Sequence, residues 1–325
     1  MSPSFLIATH ADAEHATGHL RRSLTLAEAL RSRGHDVAVQ APDTDYVRVL
    51  ASAWCPNGGG LRLEGLAGSV EEADPDVVVF DLPRSLGPVS DVRAARVAAL
   101  DRFDFADERI DLFVDLFVPG WARPEHPLGE RLAEGLQFSM VRPEVAAERD
   151  AAGAVRNDAG RVLVLFGGSD AGGMTARALA QMADAGIGAE VDVVVGPGVP
   201  GLDPQVPGAD AFDARVHVDP PDLPRLMASA DLAVSGGGTT LLELMCLGRP
   251  TVVAPRTADE SEFAHAIAAQ GGCLVVDPAE EDAIGTAVRE LASDARARER
   301  LSECARALVD GRGPIRIAES LEALT

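Results

Sequence analysis

Short, wholly apolar runs of strand length alternate along this chain with stretches whose apolar residues recur every three to four positions. The run 5–8 is the first strand, and residues 9–17 form a polar loop. From Leu20 onward, Leu24, Leu26, Ala27 and Leu30 recur at helical spacing, until Gly34 stops the helix before a strand at 37–39. Residues 77–80 and 112–118 read as further strands, and 135–144 as the last strand of this half and its exit. Beyond it, the runs 162–166, 191–195, 216–218, 232–235, 251–254 and 274–276 alternate with helical segments at 174–185, 223–228, 263–269, 284–291, 296–308 and 315–324. Such alternation predicts the α/β class, with parallel sheets and right-handed crossovers. The chain of 325 residues suits two such units. Residues 144–161 are rich in Ala, Asp and Arg, with Gly153 and Gly160, and read as the interdomain hinge. The domains are accordingly expected at 1–150 and 151–325.

One stretch of the second half departs from plain strand–helix alternation. Asp231-Leu-Ala-Val-Ser-Gly-Gly-Gly-Thr-Thr-Leu-Leu-Glu243, followed by Leu247-Gly-Arg-Pro250, reads as a strand, a glycine turn, a helix and the entry to another strand. Gly236, Gly237 and Gly238 permit close approach of backbone to a ligand, and Thr239 or Thr240 is expected to cap the helix. The free N–H groups of a helix start favour an anion. Glu243, one turn on, can accept hydrogen bonds from a polyol such as a ribose. The plainer alternative is a bare glycine turn between strand and helix. A second glycine turn, Gly167-Gly168-Ser169-Asp170, follows the run 162–166.

Charge and composition narrow the ligand. The net charge is −22, which repels nucleic acid and anionic membranes, so a phosphate ligand must be held locally. All 29 basic residues are arginine, which excludes a lysine Schiff base and a Walker-type lysine. Cys55, Cys246, Cys273 and Cys304 show no Cys-x-x-Cys spacing and read as thiols in a reducing cytoplasm. No basic leader precedes the first strand and no apolar run reaches membrane-spanning length, so a cytoplasmic protein is expected.

Candidate chemistry in the first half lies after strand ends, where open parallel sheets bind ligands. His19, at the junction of loop and helix beside Gly18, Arg21 and Arg22, can accept a proton from a hydroxyl or from water. The alternative is a capping or core histidine. Asp81 falls at the end of the run 77–80, facing the same crevice, and is the second catalytic candidate, its alternative being an exposed turn aspartate before Pro83. His15 and His19 do not share a helical face if His15 precedes the helix, so no metal site is expected there.

Taken together, these pieces resemble the GT-B superfamily, two Rossmann-like domains facing a central cleft. Within it the chain is most similar to the nucleotide-sugar hydrolases of pseudaminic acid biosynthesis. The resemblance rests on Gly18-His-Leu-Arg21, Gln137-Phe-Ser-Met-Val-Arg-Pro-Glu144, Phe166-Gly-Gly-Ser-Asp170, the 231–250 element and Asp310-Gly-Arg-Gly-Pro-Ile-Arg316. It implies a nucleoside diphosphate on the second domain, a base at His19 on the first, ribose contact at Glu243 and diphosphate contact at the glycine turns, with no metal and no cofactor. It also implies that the last helix packs back on the first domain.

Three positions depart from the hydrolases: Ala16 replaces a glycine, Pro83 an active-site tyrosine, and Asp259-Glu260 an Asn-Gln pair. The last resembles the Pro-x-x-x-Asp-Gln element with which transferases hold donor-sugar hydroxyls, and an exposed pair of loop acids is the alternative. The reading is therefore a UDP-sugar-dependent glycosyltransferase, inverting and metal-independent, acting on a small acceptor. The alternatives are a UDP-sugar hydrolase and a non-catalytic nucleotide-sugar-binding protein.

Overall fold

Strand β1 (Ser4–Thr9) buries Phe5 and Ile7 in one apolar cluster and Leu6 and Ala8 in another. Successive side chains of a strand point to opposite faces, so a run without polar residues marks a strand covered on both sides. The computed structural model describes residues 2–11, 18–54, 61–63, 74–82, 94–100, 110–115, 132–167, 170, 172–196 and 211–325. It divides into two compact units, residues 1–140 with 312–325, and residues 141–311.

The first unit carries a parallel sheet in the order β3-β2-β1-β4-β5-β6-β7. Its strands after β1 are β2 (Asp36–Ala41), β3 (Leu61–Leu63), β4 (Val77–Asp81), β5 (Arg96–Leu100), β6 (Leu112–Asp115) and β7 (Leu132–Glu134). The chain builds outward from β1 to β3, then returns to β4 and builds the other way, so the topological switch point lies between β1 and β4. Their register sets Thr9 opposite Asp81 at the carboxyl end. Helix Gly18–Ser32 lays Leu26, Ala27 and Leu30 on this sheet, and helix Gly313–Glu322 adds Ile317, Ala318 and Leu321 to the same cluster. Each fully buried Ile or Leu contributes about 1.5–3 kcal/mol. Glu322 also accepts two bonds from Arg33 and one from His35, and the Arg33 hydrogen bond leads in holding its carboxyl down at about 2.

Two local expectations fail. The stretch 135–144 is not a strand: Gly135, at φ 102, ends β7, a single 3-10 turn covers Leu136–Phe138, and Pro143 opens the helix Pro143–Ala147. The segment 144–161 is not a boundary between units, since the division falls at 140/141 and 311/312. Arg149 donates to the carbonyls of Cys246, Arg306 and Val309, and Arg156 pairs with the buried Asp231, which fixes that segment inside the second unit.

The second unit carries a parallel sheet in the order β10-β9-β8-β11-β12-β13, formed by β8 (Arg161–Leu165), β9 (Glu190–Val195), β10 (Ala214–Val218), β11 (Leu232–Ser235), β12 (Thr251–Val253) and β13 (Leu274–Val275). Its switch point lies between β8 and β11. Both sheets have the α/β architecture that the strand–helix alternation predicts. Cys246 and Cys273 are buried, and burial pushes the Cys273 thiol up to about 12, so neither is poised as a nucleophile. Among the described residues no helix is long and apolar enough to cross a membrane.

Candidate active site

At the first switch point the helix that follows β1 meets the end of β4, bringing together residues 62 apart in sequence. Asp81, fully buried at the end of β4, accepts from His19 Nδ1 at 2.7 Å. Arg22 Nε donates to both Asp81 oxygens at 2.9 Å, and Ser23 Oγ to Oδ2 at 2.8 Å. His19, Arg22 and Ser23 share the first turns of helix Gly18–Ser32, where spacings of three and four residues place side chains on adjoining faces. Burial pushes the Asp81 carboxyl up, but the charges and hydrogen bonds of Arg22 and His19 outweigh it and hold the group well below the usual carboxylate range.

This arrangement selects a tautomer. Nδ1 of His19 also lies 2.9 Å from Arg22 Nη2, a permanent donor that itself bonds to Asp81. The carboxylate is the stronger partner and keeps the proton on Nδ1, which leaves the lone pair on Nε2. A histidine held this way accepts a proton at Nε2, with Asp81 stabilising the imidazolium that forms. The His19 side chain is 20% exposed and so reachable, while Asp81 is 0% exposed. Gly18 opens the helix with open space where a Cβ would stand, and Arg21 is half-buried beside it.

At the second switch point the two glycine turns differ. Asp170, at φ 39, turns its own carboxylate back to accept from the Thr175 N–H at 3.3 Å, so the start of helix Met174–Asp184 already carries an anion. Helix Thr239–Cys246 has no acidic residue in its first turn, and the Glu260 carboxylate, whose Oε1 lies 3.8 Å from where a Cβ on Gly238 would stand, is paired with Arg256. Thr239 and Thr240, expected as caps, are its first two residues, Gly238 is the N-cap, and no side chain caps it. With no side-chain cap at Gly238 and the Glu260 charge paired to Arg256, 236–240 suits an incoming anion better than 167–170, where Asp170 already accepts. Gly237 is required for packing: a Cβ there would stand 2.6 Å from the Glu260 carbonyl oxygen. Gly168 and Ser169 lie outside the described residues, as do Ala16 and Pro83.

The acidic candidates are engaged to different degrees. Glu243 is 7% exposed, and both its oxygens accept from Arg142, at 2.5 and 2.8 Å. A carboxylate oxygen has a second lone pair, so Arg142 orients Glu243 without exhausting it. Glu260 is held by Arg256, whose Nη2 donates at 2.5 Å and whose backbone N–H donates at 2.8 Å. Asp259 is exposed. Sequence reasoning missed Ser23, Arg142 and Arg256 as parts of these clusters. Arg142 and Arg256 stood inside motifs that had been singled out, but an arginine on a loop carries no signal of its partner.

Comparison with known proteins gives a consistent architecture. Residues 220–310 match the glycosyltransferase family 28 C-terminal domain. A stretch of 205 residues, 60% of this chain and 59% of the relative, is 26% identical to the spore coat polysaccharide biosynthesis protein SpsG of Bacillus subtilis (strain 168). The chain thus spans about three fifths of that curated relative. The crystal structure of MurG from Acinetobacter baumannii is similar with a TM-score of 0.63 at 12% identity, over 99% of this chain and 100% of that one. The spinosyn rhamnosyltransferase SpnG in complex with thymidine diphosphate has a TM-score of 0.63 at 19% identity, over 99% and 100%. The fold is GT-B, as in these glycosyltransferases.

Proposed function

We propose that this protein is a nucleotide-sugar-dependent glycosyltransferase that moves a sugar from a UDP-sugar to a hydroxyl of a small acceptor, with inversion and without a metal ion. The observation that carries the reading is the His19–Asp81 pair at the first switch point, a reachable imidazole whose Nδ1 proton is held by a buried carboxylate. His19 Nε2 takes the acceptor's proton as its oxygen bonds to the anomeric carbon, and the bond from that carbon to the diphosphate oxygen breaks. The nucleoside diphosphate leaves with the electron pair. The uncapped start of helix Thr239–Cys246 suits the phosphates, and Glu243, oriented by Arg142, suits the ribose hydroxyls. The match of residues 220–310 to a glycosyltransferase domain supports placing the donor on this unit.

The test is UDP release from a panel of UDP-hexoses, with and without alcohol acceptors and with a chelator present. Release that depends on an acceptor and survives the chelator is expected. Full release in water alone would make the protein a hydrolase, and release restored only by a divalent ion would overturn the metal-free mechanism. Binding of UDP-sugar with no release under any condition would make it a binding protein.

A further inference from the structure

Arg256 belongs to neither the base nor the ribose contact, yet its position is defined by the switch point itself. It follows β12 by three residues, and its Nη1 donates to the carbonyl oxygen of Phe166, which directly follows β8, at 3.3 Å. A Cβ built on Gly236, which directly follows β11, would lie 3.4 Å from Arg256 Nε. One guanidinium thus spans the carboxyl ends of β8 and β11, where the strand order reverses and where open α/β sheets take their ligands. Glu260 holds it by one edge, accepting from Nε at 3.2 Å and from Nη2 at 2.5 Å. These bonds use three of the five N–H donors of a guanidinium, and the other two have no acceptor among the described residues. Ser235, the residue before Gly236, is fully buried, and its hydroxyl also has no partner among the described residues.

We infer that Arg256 is the cation that binds the donor's diphosphate at the Gly236–Gly238 turn, and that Glu260 is its positioning residue. The inference rests on the donor reading above and deepens it. A chain with a net charge of −22 and no lysine needs a local cation where a nucleoside diphosphate gathers charge, and that cation must be an arginine. Arg142 is committed through Nε and Nη2 to Glu243. Arg256, 18% exposed and gripped from one side, presents its remaining donors in a fixed plane, the geometry in which an arginine bonds phosphate oxygens.

The experiment is calorimetric titration of UDP, thymidine diphosphate and uridine into the full chain, wild type and variants, with melting temperatures from the same preparations. Arg256→Gln should weaken UDP about 10–100-fold, the range for a lost charge-assisted hydrogen bond, and leave uridine within about twofold. Arg256→Lys, which keeps the charge without the fork, should recover part of the loss. Glu260→Gln, which releases the fork, should weaken UDP several-fold and spare uridine. Raising the salt should cost the wild type more UDP affinity than Arg256→Gln.

Equal loss of UDP and uridine, or a folded Arg256→Gln with unchanged UDP affinity, would reduce Arg256 to a structural clamp and leave the donor reading standing. If Arg256→Gln does not fold, the same discrimination is read from Arg256→Lys and Glu260→Gln. Wild-type protein that binds neither diphosphate would overturn the donor reading and this inference together.

Discussion

The two switch points of this protein are built from opposite materials. Between β1 and β4 the groups are side chains: a buried carboxylate, an arginine and a serine around one histidine. Between β8 and β11 the frame is backbone, three glycines and the uncapped start of a helix, with the Arg256–Glu260 pair laid across the strand ends. The proposed tasks account for the difference. A proton acceptor must change its charge state during the reaction, which only a titratable side chain can do. A diphosphate keeps its charge and needs fixed donors, which backbone N–H groups supply without the entropy of ordering long side chains, joined here by one guanidinium already held in place by Glu260.

If that division holds, His19→Ala should damage chemistry and spare binding. A positioned base contributes roughly 10²–10⁴ in rate, so kcat should fall by that factor while UDP affinity stays within about twofold. The acidic limb of the pH–rate profile should vanish with it, because a protonated imidazole accepts no proton. Turnover and melting temperature measured on one preparation decide the matter: a folded, fully active variant would reduce His19 to a packing residue.

The same division explains what could be read from the residues alone. Strand–helix alternation and parallel sheets followed from apolar runs, and His19 and Asp81 could each be picked because they follow such runs. Their contact, between residues 62 apart, could not, since it depends on the register of β1 against β4. Glu243 was legible from its place one turn into a helix, but its partner Arg142 lies 101 residues away. β5, with the sequence Arg-Val-Ala-Ala-Leu, has too little β-branched character to stand out, and its place is set by packing between β4 and β6. Thr239 and Thr240 were misread as caps because threonine favours that position, whereas glycine takes it here.

The second switch point should break on a single methyl group. Gly237→Ala places a Cβ 2.6 Å from the Glu260 carbonyl oxygen and 3.1 Å from its Cβ, so helix Ala258–Ala268 must shift, at a cost of about 1–3 kcal/mol for overpacking. The shift carries Glu260 and with it Arg256, so UDP affinity should fall as well. Gly238→Ala is the control, because its Cβ would meet nothing nearer than Glu260 Oε1 at 3.8 Å. Thermal melting should separate the two by several degrees. Equal effects would mean that the close approach at Gly237 is not what sets this turn.

The smallest effect sharpens the contrast from the side of the first unit, through the protonation of Asp81. Its carboxyl is held well below its ordinary value in the folded chain, against the push of burial, by Arg22 and His19. A depressed carboxylate contributes stability that is fully present above the unfolded value near 4 and is lost as pH falls through the folded value. Asp81→Asn removes that contribution. Its penalty, which includes leaving the buried Arg22 without its counter-ion, should therefore be constant from pH 7 down to about 4 and then shrink by about 1.4 kcal/mol per pH unit. Denaturant unfolding at each pH, read by amide hydrogen exchange within residues 1–140, follows this unit. A penalty that stays the same at pH 7 and pH 3 would show that Asp81 holds its neighbours by shape and hydrogen bonding rather than by charge, and the electrostatic account of the first switch point would have to be given up.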